Sequence, residues 1–349
     1  MEGFESITRL LGVQLPIIQA PMAGVQGADL ALAVSAAGGL GSLPCAMLSP
    51  QSMQQELLRL AQQPQLRFNL NFFCHATPSP DPSRESAWRA RLAPYFHELG
   101  LDPSATADGA VRAAFNAQAA GMLEHFKPAV VSFHFGLPDD ALLLRVRASG
   151  VRIIASATTI AEALWLEAKG VDAVIAQGFE AGGHRGMFLS ADVSTQVGTM
   201  SLLPALVRAL RVPVIAAGGI ADARGVAAAF ALGASGVQVG TAYLLCPQAT
   251  TGAVHRAALQ SAASNHTALT NLFSGRPARG IVNRLMRELG PLSELAPAFP
   301  LAATVIAPLR AAAEALGSGD FSPLWCGQNT AGCRAIDAGE LTRELAERV

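Results

Sequence analysis

The most constraining feature of this sequence is a regular alternation of short apolar runs with segments of helical periodicity. Such alternation is typical of parallel α/β sheets, whose strands are buried on both faces. We predict eight strands, at residues 16–22, 40–45, 67–73, 129–135, 152–157, 173–177, 213–217 and 236–240. Helices are predicted between them, at residues 29–37, 50–62, 139–149, 160–169, 202–210 and 223–232. This order predicts a closed (β/α)8 TIM barrel, with a doubly wound open sheet as the alternative.

Composition supports a large buried core and gives no sign of a charged partner. Apolar residues make up 51% of the chain and charged residues 15%, with a formal net charge of −1. A chain with this balance has no electrostatic footprint for nucleic acid or for anionic membranes. The uncharged stretch 30–55 is interrupted by glycine and proline, so we interpret it as buried barrel sequence rather than a spanning helix.

The chain is expected to be cytoplasmic, because its acidic first residues lack the basic and apolar layout of a signal peptide. It has five cysteines and no CxxC pair, which favours reduced core thiols over disulfides. No metal site is predicted. The sequence also lacks GxGxxG after a first strand, a Walker A sequence, HExxH and GxSxG, which argues against dinucleotide-fold, nucleotide-hydrolysing, zinc-protease and serine-hydrolase chemistry.

Two regions depart from the alternation and predict additions to a barrel that spans residues 1–246. Residues 77–104 contain several prolines and charges, so we expect a surface excursion over the barrel mouth. Residues 247–308 are helical in pattern and punctuated by proline, as in a small helical cap. Residues 309–349 are amphipathic and are expected to pack back on the barrel as a C-terminal helical segment.

The seventh and eighth predicted strands end in small residues that suit a phosphate. The first reads PVIAAGGI over residues 213–220, and the second reads GVQVGT over residues 236–241. In barrels the loops after these two strands offer backbone N–H groups and a helix N-terminus to a dianion. Gly218 and Gly219 would allow close approach, Thr241 could donate a hydroxyl, and Asp222 is placed to cap the next helix. Ordinary tight turns between strand and helix are the alternative reading.

The sixth predicted strand is followed by the loop AQGFEAGGHRG over residues 176–186, on the catalytic face of a barrel. Its four glycines can wrap a flat ring or admit a substrate. His184 stands in this loop with no adjacent strand or helix to bury it, and a histidine suits proton transfer near neutral pH. A loop histidine that only bonds backbone is the alternative.

Further candidates lie at the ends of other predicted strands. Ser132 and His134 share one side of the strand in VSFHFG, although His134 could equally be a packed core histidine. Met22 follows the first strand and could lie against a flat ring or in the core. Asn71 and Gln177 end two more strands and offer amides to the polar edge of such a ring.

Together these segments resemble the nitronate monooxygenase family, formerly called 2-nitropropane dioxygenases. The resemblance is carried by PIIQAPMAG, SFHFG, AQGFEAGGHRG, PVIAAGGIADARGVAAAFALGASGVQVGTAYL and NLFSGRPARGIVNRLMRELGP. It implies a TIM barrel with a small helical domain, non-covalent FMN, and oxidation of alkyl nitronates with O2 to a carbonyl compound and nitrite. Small molecules are then the expected partners, and a monomer and a homodimer both remain open.

Carried over by position, the resemblance makes His184 the catalytic residue, as a base or as an anion-binding donor, with Ser132 and His134 in the substrate pocket. It implies that FMN contacts Ala20, Met22, Ala23, Gly24, Asn71, Gln177, Gly182, Gly183, Ala217, Gly218, Gly219, Gln238, Gly240 and Thr241. The chain has only two tyrosines, so an active site lined by tyrosine hydroxyls could not be complete. Phe273, Phe299 and Trp325 could line it instead, which would suit a more apolar substrate.

A related flavin enzyme is the main alternative. Flavin-dependent enoyl-ACP reductases share the barrel and a Gly-Gly-His loop and use NAD(P)H, as do quinone reductases of the same superfamily. Their loop tends to read Glu-Gly-x-Glu-Ser-Gly-Gly-His, whereas Gln177 and Ala181 stand at the differing positions here. This difference favours nitronate oxidation. A flavin-binding module without turnover is a third reading, against which the open setting of His184 argues.

Overall fold

The computed structural model of the chain describes residues 2–104 and 112–349. Its strands, in chain order, are β1 (Ile17–Gln19), β2 (Gly41–Pro44), β3 (Phe68–Phe73), β4 (Val130–His134), β5 (Arg152–Ala157), β6 (Ala173–Gln177), β7 (Gly183–His184), β8 (Val214–Ala217), β9 (Gly236–Val239), β10 (Thr267–Thr270) and β11 (Ala278–Ile281). Its α-helices are α1 (Glu2–Leu11), α2 (Ala28–Ala36), α3 (Pro50–Ala61), α4 (Pro82–Glu98), α5 (Ala117–Phe126), α6 (Asp140–Ala148), α7 (Ile160–Ala168), α8 (Thr199–Ala209), α9 (Ala223–Ala231), α10 (Ala253–Leu259), α11 (Arg284–Leu289), α12 (Ala302–Ala315) and α13 (Ala338–Leu345).

Eight parallel strands form the barrel, in the order β1-β9-β8-β6-β5-β4-β3-β2. A parallel bridge between Ile18 and Leu40 joins the two ends of the sheet, with the Leu40 N–H donating to the Ile17 carbonyl at 2.9 Å. The predicted TIM barrel is therefore confirmed, and the open sheet is not. Each barrel strand falls within a predicted segment, because strands buried on both faces leave continuous apolar runs in the sequence.

The strand register places several predicted site residues at paired positions on adjacent strands. Asn71 of β3 pairs with Ser132 of β4, while Gln177 of β6 pairs with Ala217 of β8, which in turn pairs with Gln238 of β9. Gln177 and Ala217 are the last residues of their strands, and the other three lie at or beyond the middle of theirs. The barrel thus brings residues that are distant in the sequence to one open mouth.

The opposite end of the barrel is closed by α1. Its Ile7 and Leu11 are buried in one cluster with Ile18, Leu40 and other interior residues of the strands. A second, larger cluster fills the space between the sheet and the surrounding helices. None of the helices that the structure describes has the length and apolar character needed to span a bilayer.

The segment predicted as a surface excursion lies outside the βα repeat, but it is not only surface. Residues 82–98 form α4, whose Trp88, Leu92, Tyr95 and Phe96 are buried in a core shared with α11 and α12. These four positions follow helical spacing, so they form one apolar stripe. Pro82 begins the helix instead of breaking it, because the first turn needs no N–H donor there.

Residues 247–308, predicted as a small helical cap, also contain strands that the sequence analysis did not predict. The antiparallel strands β10 and β11 lie within it, and β11 pairs with β7 to form a three-stranded sheet. The boundary predicted at residue 309 also falls inside α12, which packs with α4 in the cap. Of the last predicted segment, α13 does pack back on the barrel, against α2 and α9. The division between barrel and cap at residue 246 stays a prediction.

Candidate active site

A cavity of about 390 Å³ opens at the carboxyl ends of the barrel strands and extends under the cap. Every catalytic, cofactor-binding and substrate-pocket residue that the resemblance implied lines this cavity, namely Ala20, Met22, Ala23, Gly24, Asn71, Ser132, His134, Gln177, Gly182, Gly183, His184, Ala217, Gly218, Gly219, Gln238, Gly240 and Thr241. The structure therefore assembles in one place what the sequence spreads over more than two hundred residues. The individual roles of these residues stay predictions.

One end of the cavity is formed by the glycine pair that follows β8. Gly218 has φ +113° and Gly219 has φ +74°, conformations that side chains disfavour. A Cβ on Gly218 would lie 3.0 Å from Thr199 Oγ1 and 3.1 Å from the Ala181 nitrogen. Both the backbone angle and the crowding thus require glycine at position 218. Asp222 accepts from the Gly225 N–H at 2.8 Å, which caps α9 as predicted.

The C-terminal part of the chain completes this end of the cavity, which the sequence did not indicate. The Gly327 N–H donates to Thr241 Oγ1 at 2.9 Å, and Asn329 Nδ2 donates to the Gly219 carbonyl at 2.8 Å. Because the contact from Gly327 uses an oxygen lone pair of Thr241, the hydroxyl hydrogen of Thr241 remains as a donor. Together with the glycine pair, it suits a phosphate.

Two glutamine side chains line the cavity and differ in whether their amide groups have hydrogen-bond partners. The Oε1 atom of Gln238 is buried and accepts no hydrogen bond from any residue that the structure describes. Gln177 is instead bonded at both amide atoms, since its Nε2 donates to the His184 carbonyl at 2.9 Å and its Oε1 accepts from Gly186 N at 2.7 Å. Gln238 therefore has a free acceptor to offer a ligand, whereas Gln177 holds the His184 loop.

His184 is more enclosed than its loop suggested. It forms β7 with Gly183 and pairs with Ala278 of β11, which corrects the expectation that no strand would lie beside it. Sequence reasoning missed this strand because it has two residues and its partner comes much later in the chain. The imidazole Nε2 lies 2.9 Å from Ser274 Oγ, and the rings of Phe299 and Trp325 pack against it at centroid distances of 5.3 and 5.5 Å.

The electrostatic setting keeps this histidine neutral. Burial lowers the pKa of His184 well below its usual value, and the nearby cations Arg112 and Arg276 lower it further. Burial also lowers the pKa of His134 to about 4. Arg112 lines the cavity, and burial lowers the pKa of its guanidinium to about 10, which leaves it charged at neutral pH. Near His184 the site combines neutral imidazoles with the Arg112 guanidinium, an arrangement that favours an anionic ligand there.

The nitronate monooxygenase family model matches residues 5–348. The chain is 43% identical to nitronate monooxygenase of Pseudomonas aeruginosa over 99% of both chains, and 41% identical to that of Paraburkholderia phytofirmans over 98% of this chain and 94% of the other. The chain belongs to the nitronate monooxygenase family. This is a family of flavin-dependent oxidoreductases, so the chain is an enzyme of that kind.

Among solved structures, the chain is more similar to a nitroalkane oxidase than to the reductase FabK. The structure of nitroalkane oxidase from Streptomyces ansochromogenes matches with a TM-score of 0.88 and 38% identity, over 98% of this chain and 97% of that one. FabK from Thermotoga maritima matches with a TM-score of 0.70 and 26% identity, over 98% and 94% of the two chains. The family prediction is therefore confirmed, and the reductase alternative is the more distant one.

Several site residues escaped the sequence reasoning altogether. Neither Ser274 nor Arg276 was singled out, although both lie in the segment NLFSGRPARG that carries the family resemblance. Arg112 gave no periodic signal, since its burial depends on the cap. Of the aromatic residues expected in the pocket, Trp325 lines the cavity and Phe299 packs on His184, while Phe273 packs against Trp325 at 5.8 Å.

The two tyrosines lie elsewhere. Tyr95 packs with Phe321 in the cap core, and the buried Tyr243 hydroxyl bonds Thr342 Oγ1 at 2.9 Å. An active site lined by tyrosine is thus absent from the described residues, as the composition indicated. All five cysteines are free thiols, of which Cys45, Cys246 and Cys326 are buried.

Proposed function

We propose that this enzyme binds FMN in the cavity and oxidises alkyl nitronates with O2 to a carbonyl compound and nitrite. Family membership supports the reaction class. The observation that carries the proposal for this chain is the pairing of a neutral His184 with the guanidinium of Arg112 beside one cavity at the barrel mouth. A nitronate is an anion with electron density on carbon, which suits a largely desolvated site with the Arg112 guanidinium near His184.

The residues of the cavity fit FMN. Gly218, Gly219 and Thr241 would hold the phosphate, because all three line the cavity, the glycine pair allows close approach to the backbone, and the Thr241 hydroxyl keeps a hydrogen to donate beside the N-terminus of α9. The buried, unpartnered Oε1 of Gln238 needs an N–H donor, which the polar edge of a flavin ring supplies. When bound, FMN would accept electrons from the substrate and pass them to O2.

The hydrogen bonds of Ser274 indicate which ring nitrogen of the neutral His184 carries the proton. Ser274 Oγ lies 3.3 Å from the carbonyl oxygen of Arg276, and a carbonyl can only accept, so the Ser274 hydroxyl donates to it. With the Ser274 hydroxyl donating to that carbonyl, His184 Nε2 would carry the hydrogen that it shares with Ser274 Oγ. This leaves Nδ1 with a free lone pair. His184 would act as a base that removes a proton from a nitroalkane, whereas Arg112 would hold the nitronate anion.

The first experiment mixes the purified, FMN-loaded enzyme anaerobically with ethylnitronate and, separately, with NADH and NADPH, while the visible flavin spectrum is recorded. We expect bleaching by the nitronate and none by the pyridine nucleotides. Bleaching by NADH or NADPH alone would instead support the reductase alternative. Bleaching by nitroethane, which needs a base, should be slowed in His184→Asn and not in the matched variant His97→Asn, at an exposed histidine of α4.

A further inference from the structure

The backbone carbonyl of His184 accepts two hydrogen bonds from side chains of the barrel. Gln177 Nε2 donates at 2.9 Å, and His134 Nε2 lies at 3.1 Å. Since the carbonyl can only accept, His134 Nε2 must carry a hydrogen. The residue that the proposed function makes the base is therefore held at its main chain by two other residues of the site.

The other ring nitrogen of His134, Nδ1, also has a hydrogen-bond partner in the barrel. His134 Nδ1 lies 3.1 Å from Ser156 Oγ, and because Nε2 carries the hydrogen, Nδ1 accepts one from the Ser156 hydroxyl. No ring nitrogen is left for a ligand. The side chains of His134 and Ser156 both pack against Gly186. A Cβ at position 186 would lie 2.9 Å from His134 Cε1 and 3.1 Å from Ser156 Cβ.

These contacts matter because the segment around His184 has little rigidity of its own. β7 is two residues long, and the positions nearest His184 include Gly182, Gly183 and Gly186, which give the backbone wide conformational freedom. The pairing of β7 with β11 fixes one side of this segment. The bonds from Gln177 and His134 fix it to the barrel wall.

We propose that His134 is a positioning residue, which orients the His184 imidazole by holding the His184 carbonyl and does not itself touch the substrate. This inference rests on the proposed function of His184. It replaces the expectation that His134 acts as a substrate-pocket residue. Ser156 shares the task, because its hydroxyl keeps the hydrogen of His134 on Nε2.

The test compares side chains that place an N–H at different distances from the backbone. His134→Gln can present an N–H where Nε2 stands, whereas His134→Asn reaches only the position of Nδ1. The measured quantity is the rate constant of anaerobic flavin reduction by nitroethane, for which His184 serves as base. We expect His134→Asn to lower it about tenfold to a hundredfold, as small misplacements of reacting groups do. His134→Gln should restore it to within about threefold of the unchanged enzyme.

A double-mutant cycle with His184→Asn decides whether His134 acts through His184. If it does, His134→Asn should change the reduction rate less than about twofold once His184 is absent, because the two effects are not additive. A full, additive loss in that background would overturn the inference, as would equal losses in the Gln and Asn variants. FMN affinity, measured for each variant, must match that of the unchanged enzyme for the comparison to count.

Ser156→Ala provides a second route if the His134 variants fold poorly. Removing the hydroxyl frees the hydrogen of His134 to move to Nδ1, so we expect a smaller loss of rate that also vanishes with His184→Asn. A loss that persists there would contradict the inference. Failure of ethylnitronate to reduce the unchanged enzyme would instead refute the proposed function itself.

Discussion

Gly218→Ala tests the phosphate end of the cavity. At φ +113° an alanine is strained, and its Cβ would lie 3.0 Å from Thr199 Oγ1 and 3.1 Å from a backbone nitrogen. We expect the alanine to shift the ligand-free loop away from this conformation. Binding FMN would force it back, at a free-energy cost of about 1–3 kcal/mol for a strained backbone. Since each 1.4 kcal/mol is a factor of about ten, the Kd for FMN should rise about 5-fold to 150-fold.

The assay is a fluorescence titration of FMN into apoenzyme at constant ionic strength. Gly225→Ala is the matched control, because it adds the same methyl group to α9, where the nearest atoms are at 3.5 Å and no positive φ is required. The control should bind FMN as the unchanged enzyme does. An unchanged Kd in Gly218→Ala would refute the placement of the phosphate beside the glycine pair.

Three further predictions concern the base and the loop that carries it. His184→Asn should lower kcat/KM for nitroethane by about 10²–10⁴-fold and for ethylnitronate by less, measured as O2 consumption, since only the nitroalkane needs a base. Because the pKa of His184 is lowered, its neutral form persists as pH falls, so kcat/KM for nitroethane should stay level from about pH 8 to 6; a decline centred near the ordinary histidine value of about 6.5 would contradict this. Glu162 is buried and accepts from Thr158 and from Phe188 N at 2.6–2.7 Å, so Glu162→Gln should destabilise the fold by about 3 kcal/mol. With an unfolding entropy of about 0.7 kcal/mol/K for 349 residues, Tm should fall about 4 °C in a calorimetric scan, and an unchanged Tm would rule out this role.

The sequence predicts the barrel well for a physical reason. Strands buried on both faces must be apolar throughout, and the helices between them carry a regular apolar stripe, so both leave local signals. β5 and β6 were predicted with their observed bounds. The glycine pair after β8 was equally visible, because close backbone approach admits few other residues.

What the sequence did not show depends on contacts between distant segments. β7 and β11 form a ladder too short to impose an alternating pattern, so the cap was predicted to be helical. In the sequence Arg112 and Arg276 look like ordinary surface cations, and only the fold brings both of them near His184. The amide of Gln177 could have faced a flavin, and only the position of the His184 loop reveals that both its atoms are already bonded.

The pairing of β7 with β11 has a consequence for how this enzyme can be recombined with its relatives. The cap and the histidine loop exchange main-chain hydrogen bonds through Gly183, His184, Ala278 and Arg279. In a chimera with the cap of one parent and the barrel of another, β7 would pair with a β11 from the other parent. The position of His184 would then change. Crossover points that leave the histidine loop and residues 267–281 with one parent should therefore give active chimeras, whereas crossovers between them should give folded but inactive ones.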